Sequence, residues 1–140
     1  ILERAPQVDR GVVMVQKEVA ERLVAGPGGR TVGIPSIRVA WWAQAEILAT
    51  VGPEVFVPRP RVTSALVGMT RHAPPRDDVD AAEVLDLAAT AYRQRRKMLR
   101  STIGSVVSAD EFERAGIDPQ LRPEQLSVGD WADLQAARRR

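Results

Sequence analysis

The sequence predicts an α/β fold, the trailing part of a sheet followed by a small all-α domain. Three observations carry this. Gly11-Val12-Val13-Met14-Val15 is a continuous apolar run rich in β-branched residues, the composition of a strand buried on both faces. Starting with that run, the patterns read strand, helix, helix, strand, loop, strand. After Ala73-Pro74-Pro75, which neither a strand nor a helix can continue, every patterned stretch has helical spacing.

Each element has its own signal. From Gln16 to Ala25 the spacing turns helical, with Val19 and Leu23 on one face and Glu18 and Arg22 four apart on another. Gly26-Pro27-Gly28-Gly29 breaks that helix and forms a turn. It is not a phosphate loop, because no Lys-Ser/Thr pair follows it. Ser36 is the expected cap of a second helix carrying Val39, Ala40 and Ala43. Adjacent tryptophans at 41 and 42 diverge by ~100° on a helix, so one is expected in the core and the other over a domain boundary. Ile47–Val51 and Val62–Met69 read as two further strands.

Residues 73–78 form the expected linker between a first unit, 1–72, and a second, 79–140. In the second unit Asp80 and Glu83 make an N-terminal cap ahead of the apolar stripe Val84, Leu87, Ala88, Ala91. Another helix is expected from Arg95 through Ile103, stopping near Gly104. Ser108 and Glu111 make a capping box before Phe112, and Gly116 ends that helix. Ser127 and Asp130 open the last one, with Trp131 and Leu134 on a shared face.

The 140 residues are 44% hydrophobic and 27% charged, enough to bury a core, and the formal charge of +2 makes the placement of cations more informative than their sum. The absence of cysteine excludes a disulfide framework and a Cys-based zinc site, and fits a reducing, cytoplasmic setting. No apolar run reaches the roughly 18 residues of a membrane span. His72 stands alone, without a second histidine to share a metal, so no metal site is expected. The chain opens on Ile1 within what reads as the end of a helix, Ile1–Arg4, as an excerpt of a longer protein would. The terminal Arg138-Arg139-Arg140 is expected to fray into solvent.

Two stretches carry chemistry. Phe56 sits on a loop that Pro58 and Pro60 stiffen by fixing φ and removing N–H donors, with Arg59 and Arg61 between and after them. About thirty residues on, Arg93, Arg95, Arg96, Lys97 and Arg100 follow one another without an acid. Such a run repels itself unless phosphates relieve it, and spacings of three and four place Arg93, Arg96, Lys97 and Arg100 on adjoining faces of the expected helix. A rigid aromatic platform with a basic stripe suits the handling of an RNA base.

Phe56-x-Pro58-x-Pro60-x-Val62-x-Ser64 and Tyr92-Arg93-Gln94-Arg95-Arg96-Lys97-Met98-Leu99-Arg100 resemble, in order and distance, two motifs of the 16S rRNA adenine N6-dimethyltransferases of the KsgA type. Val15 to Gly28, Gly116-Ile117-Asp118-Pro119 and Arg122 to Val128 extend the resemblance over roughly Met14 to Leu134. The chain departs from the family pattern at Thr63, where an acid is usual, at Val32-Gly33, where Tyr-Gly is usual, and at Tyr92, where Phe is usual.

The resemblance implies the C-terminal part of a Rossmann-like methyltransferase domain over 1–72 and a helical rRNA-binding domain over 79–140. It implies Phe56 as the base-stacking residue of the catalytic loop, with Pro58 and Pro60. It makes Arg59, Arg61, Arg93, Arg95, Arg96, Lys97 and Arg100 the RNA contacts. The parent reaction transfers methyl groups from S-adenosylmethionine to two adjacent adenines near the 3′ end of small-subunit rRNA, and the partner is that rRNA within a 30S precursor. The family's glycine-rich cofactor turn and Asn-x-Pro-Tyr loop have no counterpart in this chain, which contains no asparagine. The chain alone is therefore expected to bind no S-adenosylmethionine and to be inactive. It is also expected to self-associate through an exposed sheet edge. The related large-subunit rRNA methyltransferases are an alternative within the same class. A non-enzymatic basic helical RNA-binding or ribosome-assembly module is the alternative outside it.

Overall fold

The computed structural model describes residues 2–138. Strand β1 (Arg10–Gln16) runs directly into helix α1 (Lys17–Val24); α2 (Ile34–Trp42) runs directly into β2 (Ala43–Val51), and β3 (Ser64–Arg71) follows. The three strands form one sheet in the order β1-β3-β2, antiparallel throughout. Met14 pairs with Leu66, and Val67 lies between Val13 and Ile47. A bulge at Leu48 shifts the register of β2.

The pleat sends alternate residues to opposite faces. Val13, Val15, Ala45, Ala65, Val67 and Met69 share the face covered by Ala20 and Val24 of α1. The opposite face carries Val12, Met14 and Leu48, which are 60%, 52% and 51% exposed. This corrects the expectation of a strand buried on both faces. Among the described residues the helices cover one side of the sheet only, and β1 is an edge strand paired with β3 alone.

After His72 all regular structure among the described residues is helical: α3 (Ala81–Tyr92), α4 (Leu99–Thr102), α5 (Ala109–Ala115) and α6 (Val128–Arg138), with a 3-10 turn at Pro123–Gln125. The caps fall where their sequences place them. Asp80 accepts from the Ala82 amide at 2.9 Å. Ser108 and Glu111 cap each other's backbone amides at 2.7 and 3.2 Å, and Gly116 ends α5 in the left-handed region at φ 72°. Ser127 and Asp130 do the same at the start of α6. Each such cap is worth about 1 kcal/mol.

The main core gathers Leu87, Ala88 and Ala91 of α3, Leu99 and Ile103, Phe112, Leu126, and Trp131 and Leu134 of α6. Each large side chain buried there contributes about 1.5–3 kcal/mol. Ile37 and Trp41 of α2 enter the same core, while Trp42 is half-buried at its margin. Ser36 is not the cap of α2. Gly33 holds that position, and Ser36, three residues in, accepts from the Gly33 amide and donates to the Arg22 carbonyl, joining α2 to α1. The linker is fastened to the helical part through Arg76, which donates to Asp78 at 2.8 Å and Asp133 at 3.0 Å.

Arg138, expected to fray, lies in α6 and donates to the Val106 carbonyl at 3.1 Å and Gln135 at 2.8 Å. Leu2, Glu3 and Arg4 form a turn rather than a helix end. Ile1, Arg139 and Arg140 lie outside the described residues.

Candidate nucleic-acid interface

The β2–β3 connection begins with a 3-10 turn at Pro53–Val55, closed by Phe56 N–H donating to the Pro53 carbonyl at 3.3 Å. Phe56 itself is half-buried. Around it Val57 is fully exposed, as are Pro58, Arg59 and Arg61, and Pro60 is half-buried. The Val57–Pro58 peptide is cis. The far end of the loop is tied down by the Lys17 amide, which donates to the Thr63 carbonyl at 2.9 Å. Phe56 is thus a half-buried residue on a loop held by backbone hydrogen bonds at both ends.

The strand register places this loop at the end of the sheet marked by Gln16, Val51 and Ser64. A cavity of about 480 Å³ lies at the other end, lined by Val8, Val13, Val39, Trp42, Met69 and Arg71 among others. It is a separate feature from the Phe56 loop.

The basic stretch is not the helix expected from Arg95 to Ile103. α3 ends at Tyr92, residues 93–98 turn, and α4 holds only Leu99–Thr102. The reason is long-range. Leu99 N–H donates to the Leu121 carbonyl at 2.8 Å and Arg100 N–H to the Pro119 carbonyl at 2.9 Å, so the chain must change direction before Leu99 can enter the core. Arg93 and Gln94 amides still donate back to Ala89 and Ala91, and Lys97 N–H closes a turn on Gln94 at 2.9 Å. Arg93, Arg95, Arg96 and Lys97 therefore sit on a tight turn at the C-terminal end of α3, where the helix carbonyls favour positive charge, and Arg100 follows in α4.

Arg93, Arg96, Lys97 and Arg100 are exposed, and no ion pair holds them among the described residues. Arg95 differs. It is half-buried, its Nε donates to Glu124 at 3.1 Å, and its Nη2 donates to the carbonyl of Arg30. The acid that neutralises part of the run lies 29 residues away, so inspection of the run itself could not reveal it. No hydrogen bond or ion pair joins the Phe56 loop to the basic turn among the described residues. The first belongs to the sheet part and the second to the helical part.

Behind the turn, the Tyr92 ring lies 6.5 Å from that of Trp131, tilted by 41°. Burial pushes the Tyr92 hydroxyl up to about 12, with Glu124 adding to the rise and Arg95 opposing it. His72 is exposed, its Nδ1 2.7 Å from the Ala73 carbonyl. No group of three or more metal-ligating side chains occurs among the described residues, and none of their helices is long and apolar enough to cross a membrane. The β1-to-α1 passage goes from Gln16 straight into Lys17 without a glycine.

The architecture is that of an α/β protein of the kind seen in rRNA methyltransferases. A dimethyladenosine transferase from Plasmodium falciparum superposes with a TM-score of 0.80 at 20% identity, over 94% of this chain and 57% of that one. The 23S rRNA methyltransferase ErmE superposes at 0.64 with 15% identity, over 99% and 58%. These likenesses establish the fold.

The sequence goes further, since a profile of the Ribosomal RNA adenine dimethylase family matches residues 1–137. The chain is 48% identical over 143 residues to the Ribosomal RNA small subunit methyltransferase A of Kineococcus radiotolerans, and 44% identical over 147 residues to that of Cutibacterium acnes. These alignments cover 99% and 98% of the chain, and 48% and 49% of the relatives. The chain belongs to the ribosomal RNA adenine dimethylase family, and it spans about half the length of these curated relatives.

Proposed function

We propose that this chain supplies the target-base loop and the RNA-gripping surface of an S-adenosylmethionine-dependent small-subunit rRNA adenine N6-dimethyltransferase, acting in the cytoplasm on two adjacent adenines of a 30S precursor. The observation that carries the proposal is the pairing, within one chain of this family, of a doubly anchored loop presenting Phe56 with an exposed turn bearing Arg93, Arg96 and Lys97, followed by Arg100 at the start of α4.

Each part has a physical role. A half-buried phenyl ring offers a face on which an extruded adenine stacks, and stacking of this kind is worth about 1–3 kcal/mol per base. Arg59 and Arg61, exposed on the same loop, meet the backbone on either side of that base. The basic turn neutralises phosphates of the surrounding RNA and sets affinity without reading sequence. The sheet part, 1–72, and the helical part, 79–140, thus divide the work between base and backbone. Nothing in the β1-to-α1 passage suits a methyl-donor site. The cofactor and the amine-positioning loop are assigned to the remainder of the family sequence, and the chain alone is inactive.

The test is Phe56→Ala in the full-length enzyme. Loss of the stacking energy slows methyl transfer tenfold to a hundredfold, on the order of 1–3 kcal/mol. RNA affinity stays nearly constant, because phosphate contacts dominate it. Phe56→Tyr keeps the ring and most of the rate. Wild-type transfer by a folded Phe56→Ala variant would return Phe56 to a packing role. The alternative of a binding module without transferase chemistry would be favoured if the full-length protein bound rRNA but transferred no methyl group.

A further inference from the structure

Among the cations of the basic turn, Arg95 alone is half-buried and bonded on two sides. Its Nε meets Glu124 at 3.1 Å and its Nη2 meets the Arg30 carbonyl. Glu124 is itself fixed to the same loop, because its carbonyl accepts the Gly28 amide at 2.6 Å. Gly28 has φ 83°, so the backbone that presents this N–H suits glycine. Three segments remote in sequence therefore meet at one guanidinium: the loop after α1, the basic turn after α3, and the Pro123–Gln125 turn.

We infer that Arg95 is a positioning residue and not an RNA ligand. Through Glu124 and Arg30 it fixes the basic turn of the helical part against the sheet part that carries Phe56. This rests on the RNA-methylation reading and deepens it. Arg93, Arg96, Lys97 and, at the start of α4, Arg100 have no ion pair among the described residues and are free to neutralise phosphates, whereas Arg95 commits Nε to a carboxylate and Nη2 to a carbonyl, two separate acceptors met along the fixed directions of one guanidinium. The two RNA-facing features have no hydrogen bond or ion pair with each other. Their separation is set by contacts between the two parts, and the Arg95–Glu124–Gly28 junction is one that polar groups define with direction as well as distance. A misplacement of about 1 Å between a phosphate grip and a reacting base is enough to slow transfer up to a hundredfold.

The experiment compares Arg95→Gln, Glu124→Gln, the double variant and Arg96→Gln in the full-length enzyme. Methyl transfer and the salt dependence of rRNA binding are measured in each, with hydrogen exchange at the Gly28 amide. Arg96→Gln flattens the slope of log affinity against log salt by about 0.7–0.9, the loss of one phosphate contact. Arg95→Gln leaves the slope at the wild-type value. Both Arg95→Gln and Glu124→Gln lower turnover by about tenfold or more, the double variant is no slower than either single one, and Gly28 exchanges faster in all three. Should Arg95→Gln fail to fold, Glu124→Gln decides alone, since wild-type turnover there overturns the assignment. A slope lowered by Arg95→Gln as much as by Arg96→Gln also overturns it, making Arg95 a phosphate contact. If Arg96→Gln and Arg95→Gln both leave affinity, slope and transfer unchanged, the RNA reading itself fails and takes this inference with it.

Discussion

The last residue of α3, Tyr92, lays its ring against Trp131 near the start of α6, with 6.5 Å between centroids, while its hydroxyl is buried without a hydrogen-bond partner among the described residues. The ring contributes packing and the hydroxyl contributes only a desolvation cost. Tyr92→Phe therefore stabilises the protein by about 1 kcal/mol, and Tyr92→Ala destabilises it by about 2–3 kcal/mol. Urea unfolding of the two variants checks both signs; a destabilised Tyr92→Phe would show that the hydroxyl has a partner.

The same residue makes a pH prediction. Tyr92 is the chain's one tyrosine, so a phenolate absorbance titration reports it alone. Its folded value of about 12 lies above the unfolded value of about 10. Between these two values the unfolded chain has lost the proton that the folded chain still holds. Stability therefore falls as pH rises from about 10 and levels off beyond about 12. An absorbance midpoint near 10 in the folded protein would contradict the burial argument.

Gly104 follows α4, and a Cβ built there would run into the carbonyl oxygen of Arg100. Backbone must move to admit it, so Gly104→Ala costs about 1–3 kcal/mol. Gly68 is the contrast. A Cβ there would meet the end of the Leu48 side chain at 3.0 Å, but Leu48 is half-exposed and free to turn aside. Gly68→Ala should stay within about 0.5 kcal/mol of wild type. Thermal unfolding separates the two, and equal losses would contradict this reading of α4.

The outer edge of β1 and the exposed Val12 and Met14 predict that the 140-residue chain self-associates. Light scattering should show mass rising with concentration, and Val12→Lys with Met14→Lys should suppress the rise. A monodisperse monomer at high concentration would overturn this.

The local signals were legible in the sequence. Asp80, Ser108 with Glu111, and Ser127 with Asp130 cap their helices because capping is decided within four residues. The helix expected through Arg95 failed because Leu99 and Arg100 bond carbonyls at Leu121 and Pro119, contacts that no periodicity encodes. Ser36 is a related case. Its spacing marks a helix start, but its partners are Gly33 and, from another helix, Arg22. At the candidate site, the Phe56 loop and the exposed cations were readable as motifs. The engagement of Arg95 by Glu124 was not, because it depends on how two distant turns pack.

The most direct test of the account is the salt dependence of rRNA binding after charge is removed from the basic turn. Replacing Arg93, Arg96 and Lys97 with glutamine together should flatten the slope of log affinity against log salt by about 2 and weaken binding to RNAs of unrelated sequence alike. Removing charge at Arg10 and Arg38, also exposed but placed toward the other end of the sheet, should change the slope far less. If the two sets of substitutions flatten the slope equally per charge, RNA is drawn by diffuse potential, and the basic turn is not its grip.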